Sequence, residues 1–127
     1  MISGDDLFKW NVYRPYKSGL ETVLSPLEAE VLELMWKEKR ATARTIYTRL
    51  KARRNINRTT VNATMSSLAK RGLLSSEITR GKGGLKYVYT VKISRREFEN
   101  DVVGKVVESL LESFGEPARK LIQEKVK

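Results

Sequence analysis

The chain contains no cysteine and no histidine. Without cysteine there is no disulfide framework and no thiolate metal site. Without histidine the commonest general base and the commonest metal ligand are both missing. No apolar run approaches the length of a membrane span, and the N-terminus carries no secretory signal pattern, so a cytoplasmic protein is expected. The carboxylates fall on solvent faces of helices or at helix caps, and no nucleophile–base pair can be assembled from what remains. An enzyme is therefore the least favoured class, and no catalytic residue, metal or cofactor is expected. At 127 residues the chain has room for one domain, or one small domain with an appendage, around a modest single core.

Acid is also scarce, but only in the middle. Residues 37–96 hold 17 Lys/Arg against two acids, Glu38 and Glu77, whereas the flanking segments are slightly acidic. The net charge of +10 therefore comes from one stretch of sixty residues. Solvated surfaces usually mix signs, so such a stretch implies a polyanionic partner. Nucleic acid fits. An anionic membrane surface fits less well, because no helix sets a basic face opposite a large aromatic one.

Within the basic stretch, residues 57–71 read as a helix. Val61, Met65 and Leu68 recur at helical spacing and make one apolar stripe. The other side carries Thr59, Thr60, Ala63, Ser66, Ser67 and Lys70, with Asn62 and Arg58 flanking. Such short hydrogen-bonding side chains let a helix approach a polar surface closely, and the major groove of DNA admits a helix. The plainer alternative is a solvated surface helix, for which Thr and Ser are poor formers. Gly72 supplies a left-handed C-terminal residue and Leu73 folds back on Leu68.

The neighbouring segments support the groove reading. Ser25-Pro26-Leu27-Glu28 is a capping box with proline at the first helical position. It opens a scaffold helix to about Lys37 with Leu27, Val31, Leu34 and Met35 inward. Thr42 caps a second helix, Ala43 to about Arg53, with Ala43, Ile46, Tyr47 and Leu50 inward and Arg44 and Arg49 on or near its exposed side. A short turn at 55–57 joins it to the third helix, in the manner of a helix-turn-helix. After Gly72 a weak strand over 74–80, the loop Gly81-Lys82-Gly83-Gly84 and an alternating strand with Leu85, Tyr87, Tyr89, Val91 and Ile93 on its core face make a β-hairpin. The glycines lack the spacing of a nucleotide-hydrolase phosphate loop. They are either a flexible tip or, with Arg80 and Lys82, a wing along a phosphate backbone. Three helices and a hairpin in this order form a winged helix: mainly α with a small β-hairpin.

Residues 1–24 are read as an arm, 25–93 as the winged helix and 94–127 as a helical region for dimerisation. In the arm, alternation of Phe8, Trp10 and Val12 suggests a short strand, and its aromatics pack on the domain. A DNA-contacting arm using Lys9, Arg14 and Lys17 is the sharper alternative. Ser94-Arg95-Arg96-Glu97 is a second capping box, opening a helix that carries Phe98, Val102, Val103, Val106, Val107, Leu110, Leu111 and Phe114. That face either docks on its own domain or, being wider than docking needs, pairs two copies of the chain. Gly115-Glu116-Pro117 breaks the helix before a short final one.

Taken together, Leu24-Ser25-Pro26-Leu27-Glu28-Ala29-Glu30-Val31-Leu32-Glu33-Leu34-Met35-Trp36, Asn57-Arg58-Thr59-Thr60-Val61-Asn62-Ala63-Thr64-Met65, Leu68-Ala69-Lys70-Arg71-Gly72-Leu73, Tyr87-Val88-Tyr89 and Leu110-Leu111-Glu112-Ser113-Phe114-Gly115 resemble the penicillinase-repressor family. These are winged-helix repressors of β-lactam resistance and copper homeostasis. The resemblance implies a homodimeric repressor on an inverted repeat in double-stranded DNA, with Thr59, Thr60 and Ala63 where the family's third helix reads base edges. Asn62 joins them as a side chain able to pair with adenine. Arg44, Arg49, Arg58, Ser66, Lys70, Arg80 and Lys82 are expected to hold phosphates. The chain departs from the family in two ways: the last helix is expected to be shortened or absent, and the cysteine motif of copper-responsive relatives is missing. The rival readings are a sequence-neutral DNA-coating protein and a winged helix that binds RNA or protein within a larger complex.

Overall fold

The computed structural model describes residues 8–10 and 12–126, which fall into two compact units divided between Ser94 and Arg95. The first unit opens with the arm. No strand forms at its described residues, and Asn11 lies outside them. Phe8, Val23 and Leu24 are buried, and a one-turn 3-10 helix spans Gly19–Thr22. The Lys9 amide donates to the Arg71 carbonyl at 2.8 Å, and Arg71 Nε returns a bond to the Lys9 carbonyl at 2.9 Å. Arg14 donates to the carbonyls of Glu21 and Leu24. Of the arm's cationic residues, Lys9 is thus tied into the unit through its backbone and Arg14 through its guanidinium.

Helix α1 spans Pro26–Glu38. Its capping box forms as read: the Ser25 hydroxyl accepts from the Glu28 amide at 3.1 Å, and the Glu28 carboxylate accepts from the Ser25 amide at 2.9 Å. Ala29, Val31, Leu32 and Met35 are buried. The inward face thus centres on Leu32, with Leu27 and Leu34 half-buried at its margins. Lys39 ends the helix at φ 71° and turns the chain into a three-residue strand, β1 (Arg40–Thr42).

Thr42 caps α2 (Ala43–Lys51), accepting from the Thr45 amide, and Ile46 and Leu50 are its buried residues. Asn57 caps α3 (Arg58–Lys70), which buries Val61, Met65 and Leu68. At its far end Gly72 adopts φ 89°, the Leu73 amide bonds to the Leu68 carbonyl and the Gly72 amide to Ala69. That is the paired hydrogen-bond pattern of a glycine-terminated helix, and it turns the chain sharply into the sheet.

Strands β2 (Leu74–Gly81) and β3 (Gly84–Val91) form the hairpin, joined by Lys82-Gly83. β1 pairs with the other edge of β3, so the antiparallel sheet has the order β1-β3-β2. The alternation seen in β3 covers the core only at its base. Tyr89 and Ile93 are buried, but Leu85 is 67% and Tyr87 59% exposed, and Ile78 is exposed opposite Tyr87. The hairpin is longer than the core it springs from, so its distal half has nothing of that core beneath it.

The second unit is α4 (Arg95–Lys125), broken at Gly115, whose φ of 51° and ψ of −117° are not helical; Pro117 follows within two residues. Lys105 and Asp101 pair at 2.7 Å along its first part. Among the described residues no helix is long and apolar enough to cross a membrane.

Candidate nucleic-acid interface

One stripe of α3 faces a groove. Arg58, Asn62, Ser66, Ala69 and Lys70 follow one another at helical spacing along one wall. Thr42, Ala43 and Arg44 at the start of α2 contribute to the same space, and Ser76, Leu85, Lys86, Tyr87 and Tyr89 line it from the sheet. The volume is about 770 Å³. Burial, and secondarily the neighbouring Tyr87, raises the Tyr89 hydroxyl above the ordinary tyrosine pKa.

Of the residues proposed from sequence, Arg44, Arg58, Asn62, Ser66 and Lys70 come together in this groove. Thr59 and Ala63 are exposed on α3 outside it. Thr60 lines a second hollow of about 430 Å³ with Leu27, Arg54, Asn55, Ile56 and Asn57. Its hydroxyl donates to the Asn57 carboxamide oxygen at 2.9 Å, beside the capping bond from its own amide at 2.8 Å. That leaves Thr60 its methyl group and its acceptor lone pairs. Arg80 and Lys82 are exposed on the hairpin. Arg49 is not with them; it pairs with Glu38 at 3.2 Å. Thr42, Ser76, Lys86 and Tyr87 are groove residues that the sequence reading does not single out.

The arginines divide by position. Arg40 pairs with Glu77, Arg53 and Arg54 with Glu30, and Arg71 with Glu28. With Arg49 on Glu38 and Arg14 on backbone carbonyls, these arginines are neutralised or engaged. Among the described residues of the first unit, the arginines left without a partner are Arg44, Arg58 and Arg80, two in the groove and one on the hairpin. Lys70, Lys82 and Lys86 are likewise without an ion-pair partner among the described residues, as are Lys37, Lys39 and Lys92 away from the groove, so the sorting is a property of the arginines. Repulsion among uncompensated cations gathered this way is relieved by a bound polyanion. No group of three or more Asp or Glu side chains is placed to hold a metal ion among the described residues.

In the second unit Phe98 is buried, and Val102, Val106 and Val107 are half-buried. Val103, Leu110, Leu111 and Phe114 are exposed, as are Leu121 and Val126 beyond the break.

The family model described as penicillinase repressor matches residues 24–127. No curated protein matches the sequence. Among solved structures, a possible transcriptional regulator from Methanosarcina mazei Go1 superposes with a TM-score of 0.58 at 19% identity, covering 76% of this chain and 78% of that one. A PadR family transcription regulator from Clostridium difficile R20291 gives a TM-score of 0.44 at 13% identity, covering 67% of this chain and 95% of that one.

Proposed function

This chain belongs to the penicillinase-repressor family of winged-helix transcriptional regulators, and from that membership we propose that it is a homodimeric repressor that binds a palindromic operator in double-stranded DNA. In this reading α3 enters the major groove, where Thr59, Asn62 and Ala63 face base edges, Thr60 contributing its methyl group. Arg44, Arg58, Ser66 and Lys70 hold the adjoining phosphates, and Arg80 and Lys82 carry the hairpin along the backbone. Occlusion of a promoter would then repress transcription. The cytoplasm is where such a protein would work.

The observation that carries this reading is the sorting of the arginines: those away from the groove are engaged, and those on the groove and hairpin are not. Arg49 is the exception among the proposed phosphate contacts. Its use would require exchanging Glu38 for a phosphate, so its contribution is expected to be small.

Selection of bound duplex from a random pool, followed by affinity measurement on the selected site and on bulk DNA, tests the proposal. A specific repressor prefers its site by a factor of about 10³ or more. Asn62→Ala should relax base preference at one position, and Lys82→Ala should weaken all sequences alike and flatten the salt dependence. A ratio near unity would instead make the protein a DNA-coating one.

A further inference from the structure

The groove has an apolar wall as well as cations, and phosphate binding alone does not call for one. Leu85 and Tyr87 are two residues apart in β3 and therefore share a face. Both line the groove, and both are more than half exposed. Ala69 of α3 lines it too. Ile78, paired with Tyr87 in register, extends the same face along β2. Large exposed apolar side chains collected on one face usually mark a contact. A wing that touched only phosphates would be served by short polar residues and lysines.

The charge around this strip says what occupies it. Arg44, Arg58, Lys70 and Lys86 line the same space without ion-pair partners among the described residues. The occupant is therefore anionic and repeating, with an uncharged part between its charges. A polynucleotide backbone has that composition: phosphates alternate with sugars, and in DNA the C2′ edge of the sugar is a hydrocarbon edge. In RNA the same edge carries a hydroxyl, the group by which a protein tells the two apart at a given position.

We propose that the groove between α3 and the hairpin is a track for one deoxyribose-phosphate strand of the bound duplex, in which Leu85 and Tyr87 pack on 2′-deoxyribose while the surrounding cations hold the flanking phosphates. The inference rests on the DNA-binding reading above and deepens it. It assigns the wing a part of the affinity that does not depend on salt, and it makes the site selective for deoxyribose where the strand meets Leu85 and Tyr87. The counterion-release part belongs to the cations. The hydrophobic part belongs to the two exposed side chains.

The test uses the full chain and the duplex selected above, with fluorescence anisotropy over a series of salt concentrations. In parallel, single ribonucleotides replace deoxyribonucleotides one position at a time along each strand. The wild type should bind about tenfold more weakly when the ribonucleotide falls at one or two adjacent positions, because the added hydroxyl is desolvated against hydrocarbon. Leu85→Ser with Tyr87→Ser should bind the all-deoxy duplex at least tenfold more weakly at every salt concentration, with the salt slope unchanged and the ribonucleotide penalty gone. Lys86→Ala should do the reverse, reducing the slope while keeping the penalty. Thermal melting of each variant checks folding. Wild-type affinity in the double variant, or a loss that appears only as a changed slope, would overturn the sugar-packing assignment while leaving the dependence on Asn62 intact. Failure of the wild type to bind any duplex would instead overturn the DNA-binding reading itself.

Discussion

Asn57 sits at the turn between two helices and does two jobs with one oxygen. It accepts from the Thr60 amide, closing the α3 N-terminus, and from the Thr60 hydroxyl, fixing that side chain. Asn57→Ala should therefore lower the unfolding free energy by about 1 kcal/mol, the usual cost of a lost cap, measurable by urea titration. A change well under half of that would mean that neighbouring groups or water replace the cap. Tyr89 makes a different prediction, in pH. Its pKa is raised in the folded state, first by burial and then by Tyr87. The folded protein thus holds the phenolic proton more tightly than the unfolded chain does. That contribution to stability is whole below the unfolded value near 10.0 and is lost as pH rises from there through the higher folded value. Unfolding free energies should consequently fall as pH rises above about 10, and Tyr89→Phe should flatten the fall. An equally steep decline in that variant would assign it to other groups.

At the level of elements, what could be read from the sequence was what local rules decide. The capping box of α1, the Thr42 cap of α2, the Val61/Met65/Leu68 stripe and the Gly72-Leu73 stop each depend on residues within a turn or two of one another, and the structure forms all of them. β1 escaped because three residues are too few to show alternation. Period-two alternation puts Leu85 and Tyr87 on the core face, but it reports only which side a residue takes and nothing about whether that side is covered. Ser76, Lys86 and Tyr87 became groove residues only when the hairpin was brought beside α3, which no window of sequence contains. Arg49 looked like its neighbours until the fold set Glu38 against it. The hairpin tip carries its own prediction. Gly84 has φ 112°, and an added Cβ would meet nothing within 4 Å. Any cost of Gly84→Ala is therefore backbone strain, about 1–3 kcal/mol. A variant as stable as the wild type would show that the turn can change its geometry without consequence.

For the whole molecule the decisive quantity is the number of chains on the DNA. On the proposed reading a single α3 would present about four residues to bases, and a few base contacts worth roughly 1–3 kcal/mol each would give too little discrimination for one copy to find one site in a genome. Two copies joined rigidly double the readout and fix the distance between half-sites. The second unit offers the means: Leu110, Leu111 and Phe114 lie at i, i+1 and i+4 on α4, and all three are exposed in the single chain. If they pair two chains, the wild type sediments as a dimer at micromolar concentration, and Leu110→Asp with Phe114→Asp sediments as a monomer, because the pairing face would then bury unpartnered carboxylates. On DNA the consequence is a dependence on helical phase. Half-sites about 10.5 base pairs apart, or a multiple of that, present both α3 helices to the same side of the duplex. Inserting about 5 base pairs rotates one half-site to the opposite side, which should weaken the wild type severely and leave the monomeric variant, already weak, unaffected. A wild type that binds both spacings equally would place the two α3 helices on independent, unlinked chains.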